Sequence, residues 1–281
     1  MSTIKRVKTS ECKEIHFERF DSAAEVVETC RHRQITDSSF NNMQSESLRK
    51  NWHGVSNYEE ALELMKTGYQ PAVESLKGVF KANVKGNVGR YSFTNSIQGF
   101  APIVPLALKG VPNSMLNMQM KTIKAKVIDV YYDMTASSGT SPDKIMDAGN
   151  KLLGTIIELE RQGYRFNLYA VQAYHDSNDT DMLVVKVKNA NQPLDIKRVS
   201  FPLIHTAFFR VIGFDWYSKM PGGKYRCCYG HALGYDYSEE VLMKMAKELF
   251  GNNSVYFSAT KIIGEDKDHI REVLKNGNSK N

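Results

Sequence analysis

The sequence predicts an α/β protein built on a mixed, mainly parallel sheet with helices on both faces, plus a helical N-terminal region. Three observations predict it. An apolar run, Val127 to Tyr132, ends in the small-residue loop Asp133-Met134-Thr135-Ala136-Ser137-Ser138-Gly139 and is followed by a long amphipathic helix. Two apolar runs, Tyr164 to Tyr174 and Asp181 to Lys188, flank a short polar turn, which favours an antiparallel hairpin. Beyond them, helical and strand patterns alternate to the C-terminus. Sheets of this kind bind their partners at the carboxyl ends of the strands, so the loop opened by Asp133 is the first candidate site.

Length and composition set the frame. A chain of 281 residues can be one large domain or a core with a smaller appendage. The expected division is 1–120, N-terminal helices with an irregular apolar joint, and 121–281, the α/β core. A formal charge of +6 is mild and permits a nucleic-acid partner without arguing for one. No run reaches the roughly 18 to 20 apolar residues of a membrane span, and MSTIKRVKTSECK has no apolar stretch after its basic residues. No membrane partner is expected, and the expected compartment is the cytoplasm. Cys12, Cys30, Cys227 and Cys228 have no C-x-x-C spacing and read as reduced thiols.

In chain order, residues 1–14 read as a loose basic arm, and Ala24, Val27 and Cys30 mark one side of a first helix. Ser56 with Glu59 three residues on predicts a capping box opening a helix through Leu62 and Met65, closed by Gly68. Trp52, just before it, is expected to be mostly buried against that helix. Pro71 starts a second helix. Between 86 and 122 glycines flank a short alternating strand, and Pro102, Pro105 and Pro112 exclude a continuous helix from an apolar segment, 99–118. That segment is expected to lie against another surface.

The core begins near Lys121. Ser141-Pro142-Asp143 combines an N-cap, a proline at the first position and an acid in the first turn. Ile145, Ala148, Leu152, Ile156 and Leu159 then recur at helical spacing up to Gly163. Leu194 to Met220 reads as helical in two pieces broken at Pro202, with Phe208, Phe209, Ile212 and Trp216 as the buried stripe. Ser238 caps a helix to Phe250, Ser254 to Ser258 is a strand, and Glu265 to Lys275 is the last helix.

This order is Rossmann-like, and it resembles the von Willebrand factor A fold in particular. In that family a D-x-S-x-S loop after the first strand helps form a metal-ion-dependent adhesion site. Asp133, Thr135 and Ser137 match it here as D-x-T-x-S. The resemblance implies a Mg²⁺ site, since a carboxylate and two hydroxyls are hard oxygen ligands. It further implies a threonine from a later loop, Thr206 (or Ser200), and an aspartate, Asp236, although no T-D-G turn occurs. Read without the family, the same loop is a hydrogen-bonded strand-to-helix connection. No organic cofactor is expected. Trp52-x-Gly54 with Ser56, the ASSGTSP loop and the LERQGYR turn together resemble an uncharacterised family of phages and mobile elements. This second resemblance implies a bacterial host cytoplasm.

Other chemistries find little support. Neither G-x-x-x-x-G-K-[ST] nor G-x-G-x-x-G occurs, the seven histidines are scattered, and there is no G-x-S-x-G elbow. The best basic-aromatic cluster is Arg210, Lys219, Lys224 and Arg226 among Phe209, Trp216, Tyr217 and Tyr225. The leading expectation is a non-enzymatic protein-binding or assembly module, self-association included, acting through the strand carboxyl ends or through 99–118. The alternatives are nucleic-acid binding by the basic-aromatic cluster and, third, a metal-dependent enzyme centred on Asp133.

Overall fold

The computed structural model describes residues 4–12, 14–36, 42–44, 47–81, 90–121, 126–176, 179–220 and 231–276. Its elements in chain order are β1 (Ile4–Val7), β2 (Glu14–Phe20), α1 (Ala23–Arg31), α2 (Lys50–His53), α3 (Tyr58–Thr67) and α4 (Gln70–Lys81). There follow β3 (Arg90–Ser96), β4 (Ala101–Pro102), α5 (Val104–Leu108), β5 (Met115–Lys121), β6 (Val127–Asp133) and α6 (Pro142–Arg161). Next come β7 (Arg165–Asp176), β8 (Asp179–Lys188), α7 (Ile196–Ile204), a π-helix (Phe208–Gly213) and α8 (Phe214–Ser218). The chain closes with β9 (His231–Ala232), α9 (Leu233–Asp236), α10 (Glu239–Phe250), β10 (Ser254–Ser258), α11 (Ala259–Ile262) and α12 (Lys267–Asn276).

The main sheet is mixed, in the order β1-β2-β8-β7-β6-β10, with β9 added to the end of β7. At one end of that order β7, β6 and β10 run parallel. The expected hairpin is present, with β7 and β8 antiparallel from Leu168↔Lys188 to Asp176↔Asp179. Alternation along β6 sends Ile128, Val130 and Tyr132 to one face and Tyr131 to the other, so helices cover both sides. The larger core contains α6, α7, the π-helix and α8, and the smaller one packs α10 on Tyr131, Tyr169 and Tyr256.

Three features differ from the sequence reading. The loose arm expected over 1–14 contains a strand, β1, which pairs antiparallel with β2, and β2 lies parallel to β8. The inward polar residues of β2 hide this, because their partners are distant in sequence. Glu18 is buried, held by both terminal nitrogens of Arg33 at 2.6 and 2.8 Å and by Trp216 Nε1 at 2.8 Å. Second, the helical stretch after Leu194 breaks at His205 rather than at Pro202, and 199–220 is buried throughout. It packs against β8, α1 and α3, so residues on both sides of the expected boundary at 120/121 share one core.

Third, 90–121 contains a separate small sheet, β3-β5-β4, paired antiparallel. Its apolar side chains are not covered: Ile97 is 71% exposed, Leu108 83% and Phe93 58%. No helix among the described residues is long and apolar enough to cross a membrane. Cys12 and Cys30 are buried thiols, and burial pushes Cys30 up to about 12. Cys227 and Cys228 lie outside the described residues.

Candidate functional site

The loop after β6 sits at the carboxyl ends of the parallel strands, as the pattern predicts. Asp133, the last residue of β6, is fully buried. Its Oδ1 accepts from the backbone N–H of Thr135 at 2.9 Å and of Ala173 at 3.4 Å, and its Oδ2 accepts from the Tyr256 hydroxyl at 2.9 Å. Burial raises the carboxyl to about 6, against the opposing pull of these donors. Burial, and then the same carboxylate, hold the Tyr256 phenol well above its ordinary value.

Thr135 is buried too, its Oγ1 accepting from Ala173 N–H at 2.9 Å. Ser137 is exposed and turned to its own loop, its Oγ accepting from Gly139 N–H at 3.1 Å. The three residues of D-x-T-x-S therefore do not converge on one open point. A cation at Asp133 would have to displace the Tyr256 hydroxyl and backbone donors. The geometry matches the hydrogen-bonded connection. Thr206 is buried and donates to His53 O at 3.4 Å, while Ser200 accepts from Tyr69 N–H at 2.9 Å. Asp236 is exposed at the end of α9, which meets the loop where Tyr235 and Thr140 hydroxyls lie 3.5 Å apart.

The other side of the loop is held by Arg210, which the sequence reading assigned to a basic surface. Arg210 is in fact fully buried on the π-helix. Its Nη atoms donate to Trp52 O and Thr140 O at 2.6 Å and to Ser137 O at 3.5 Å. Its guanidinium lies 4.3 Å from the Trp52 ring centre, and burial lowers its pKa to about 10. Trp52 Nε1 completes the clamp by donating to Ser138 O at 2.8 Å. Trp52 is half-buried, and its ring packs on Arg210 and Phe214. The cap of α3 is Asn57, accepting from Glu60 N–H at 2.8 Å, while Glu60 reaches back to Ser56 N–H at 2.7 Å. The capping box is therefore one residue later than the spacing suggests.

Two glycines make this arrangement fit. Gly54 has φ +84°, and a Cβ there would sit 2.7 Å from Thr206 Oγ1. A Cβ on Gly213 would collide with Gln172 of β7, so only glycine lets the π-helix approach the sheet this closely. His205, stacked on Phe201 and edge-on to Tyr69, is lowered by burial to about 4 and is neutral. Lys219, also expected on the basic surface, is buried and paired with Asp215 at 2.7 Å. Lys224 and Arg226 lie outside the described residues. Sequence reasoning missed Arg210 as an internal clamp, although a lone cation inside the apolar run FFRVIGFDW was the available signal.

These features define a mixed α/β sheet protein whose strand-end loop is tied down from both faces. The chain belongs to the family described as a domain of unknown function, DUF7192, which matches residues 5–279. Comparison with curated proteins and with solved structures returns no match for either.

Proposed function

We propose that the chain is a non-enzymatic protein-binding or assembly module whose contact surface is the small β3-β5-β4 sheet. One observation carries the reading. Seven of the nine exposed large apolar side chains among the described residues fall between Phe93 and Met118. By register, Phe93 and Met118 are paired and share one face with Leu116, while Thr94 and Asn117 share the other. An amphipathic sheet with its apolar face open is the signature of a contact surface. The strand carboxyl ends are the weaker candidate, because their hydroxyls, carboxylate and carbonyls are bonded internally.

The core that presents this sheet is read as von Willebrand A-like. Supporting this are β6 with its parallel neighbours β7 and β10, and the antiparallel β8 beyond β7. The β1-β2 extension beside β8 is an addition to that pattern.

The test is a double variant, Phe93→Ser with Leu108→Ser, compared with wild type by light scattering across a concentration series and by cross-linked pull-down. Unchanged melting with loss of self-association or of the recovered partner is the expected result. Equal recovery would move the contact surface off this sheet. A salt-dependent titration with DNA and RNA separates the nucleic-acid alternative, which predicts tight binding that weakens steeply with salt.

A further inference from the structure

We infer that β3 receives an extended, acidic segment of another protein as a fourth strand of the small sheet, an inference that rests on the protein-binding reading above. The first observation is charge. From 75 to 128 the sequence holds eight lysines and arginines and no aspartate or glutamate. The +6 of the whole chain therefore originates here, and the remainder carries slightly more acid than base. Within the small sheet, Arg90, Lys109 and Lys121 are the charged residues, and Arg90 and Lys121 are register partners. A segment of one charge sign favours a partner of the other.

The second observation is the edge. β3 is seven residues long, about 23 Å, and pairs only with β5 among the described residues. Its outer side is a row of backbone donors and acceptors beside the apolar face of Phe93 and Met118.

Together these select the occupant. A second copy of the same sheet would bring like charge against like charge. A lipid bilayer would accept the apolar side chains but leave the β3 edge unsatisfied, and open sheet edges are not tolerated in hydrocarbon. Nucleic acid would use aromatic stacking, yet of the seven exposed apolar residues only Phe93 and Phe100 are aromatic. A strand of alternating apolar residues with carboxylates at its ends meets all three demands: main-chain hydrogen bonds, apolar cover and opposite charge.

The experiment titrates the full chain with a labelled peptide, Glu-Glu-Ile-Thr-Ile-Thr-Ile-Glu-Glu, and follows anisotropy and backbone NMR shifts. Three comparison peptides replace every Glu by Lys, N-methylate the odd amides, or N-methylate the even amides. We expect binding with shifts in β3, at least tenfold weaker for the lysine peptide, and lost for one methylation phase only. No binding at millimolar peptide, equal binding of the lysine peptide, or indifference to both methylations overturns strand addition. Co-sedimentation with phosphatidylserine vesicles, or tight DNA binding, in place of peptide binding overturns it as well. If the Phe93→Ser, Leu108→Ser variant still loses its partner while strand addition fails, the protein-binding reading stands and only this inference falls.

Discussion

Replacing Asp133 with Asn keeps the shape of the buried carboxyl and removes its ionisation. Burial lifts Asp133 from 3.8 to about 6, a difference worth about 3 kcal/mol between its protonated and charged forms. Because the folded-state value is the higher one, the stability it contributes is fully present below the unfolded value, near 3.8, and is lost as pH rises through about 6. Asp133→Asn should therefore match wild type near pH 3.5 and exceed it by about 3 kcal/mol near pH 8. His205 acts in the opposite sense. Its folded-state value is depressed from 6.5 to about 4, so its contribution is present above 6.5 and is lost as pH falls through about 4. The two trends offset each other in the wild type, whose own pH profile is flattened by them. The difference between variant and wild type cancels the histidine and isolates the carboxyl. Urea denaturation at fixed ionic strength, at pH steps from about 3.5 to 8, measures it. A difference that is flat with pH, or larger in acid, would refute the assignment of a desolvated carboxyl at this position.

Tyr256→Phe removes the donor to Asp133 Oδ2; it should cost about 2 kcal/mol near pH 8 and less in acid, where the carboxyl is protonated, measured in the same series. Arg210→Ala leaves the carbonyls of Trp52, Ser137 and Thr140 without their donor; a loss on the order of 3 kcal/mol is expected by denaturant melting. Trp52→Ala, at a half-buried position, should cost about 2 kcal/mol, less than the 3 to 5 of a core tryptophan; an unchanged midpoint would show that the Trp52–Arg210 contact contributes nothing to stability. Wild-type protein should melt at the same temperature in EDTA and in millimolar Mg²⁺, because protein donors already occupy both Asp133 oxygens. A Mg²⁺-dependent rise that Asp133→Ala abolishes would restore the metal reading.

Local pattern was enough for the core. The β7–β8 hairpin, the long helix from Pro142, the Ser238 cap and the β10 strand were all legible because each depends on periodicity and caps within a few residues. The Ser56–Glu59 box was displaced by one residue, since Asn57 offers an equally good cap and only the surrounding packing chooses between them.

Long-range partners decided the rest. The polar residues of β2 give no strand signal in the sequence, because Glu18 is satisfied by Arg33 and Trp216 and His16 lies 3.0 Å from Asp181. Arg210 and Lys219 looked like surface cations, yet the fold buries both, one against backbone carbonyls and one against Asp215. Asp133, Thr135 and Ser137 carry a ligand-like spacing, but Ala173 N–H of β7 and the Tyr256 hydroxyl engage the first two, while Ser137 bonds within its own loop. The apolar character of 99–118 was plain in the sequence, as was the absence of acids around it. That those side chains face outward from a small sheet was not, because residue type sets only a preference for burial, and exposure depends on which surfaces the rest of the chain brings near.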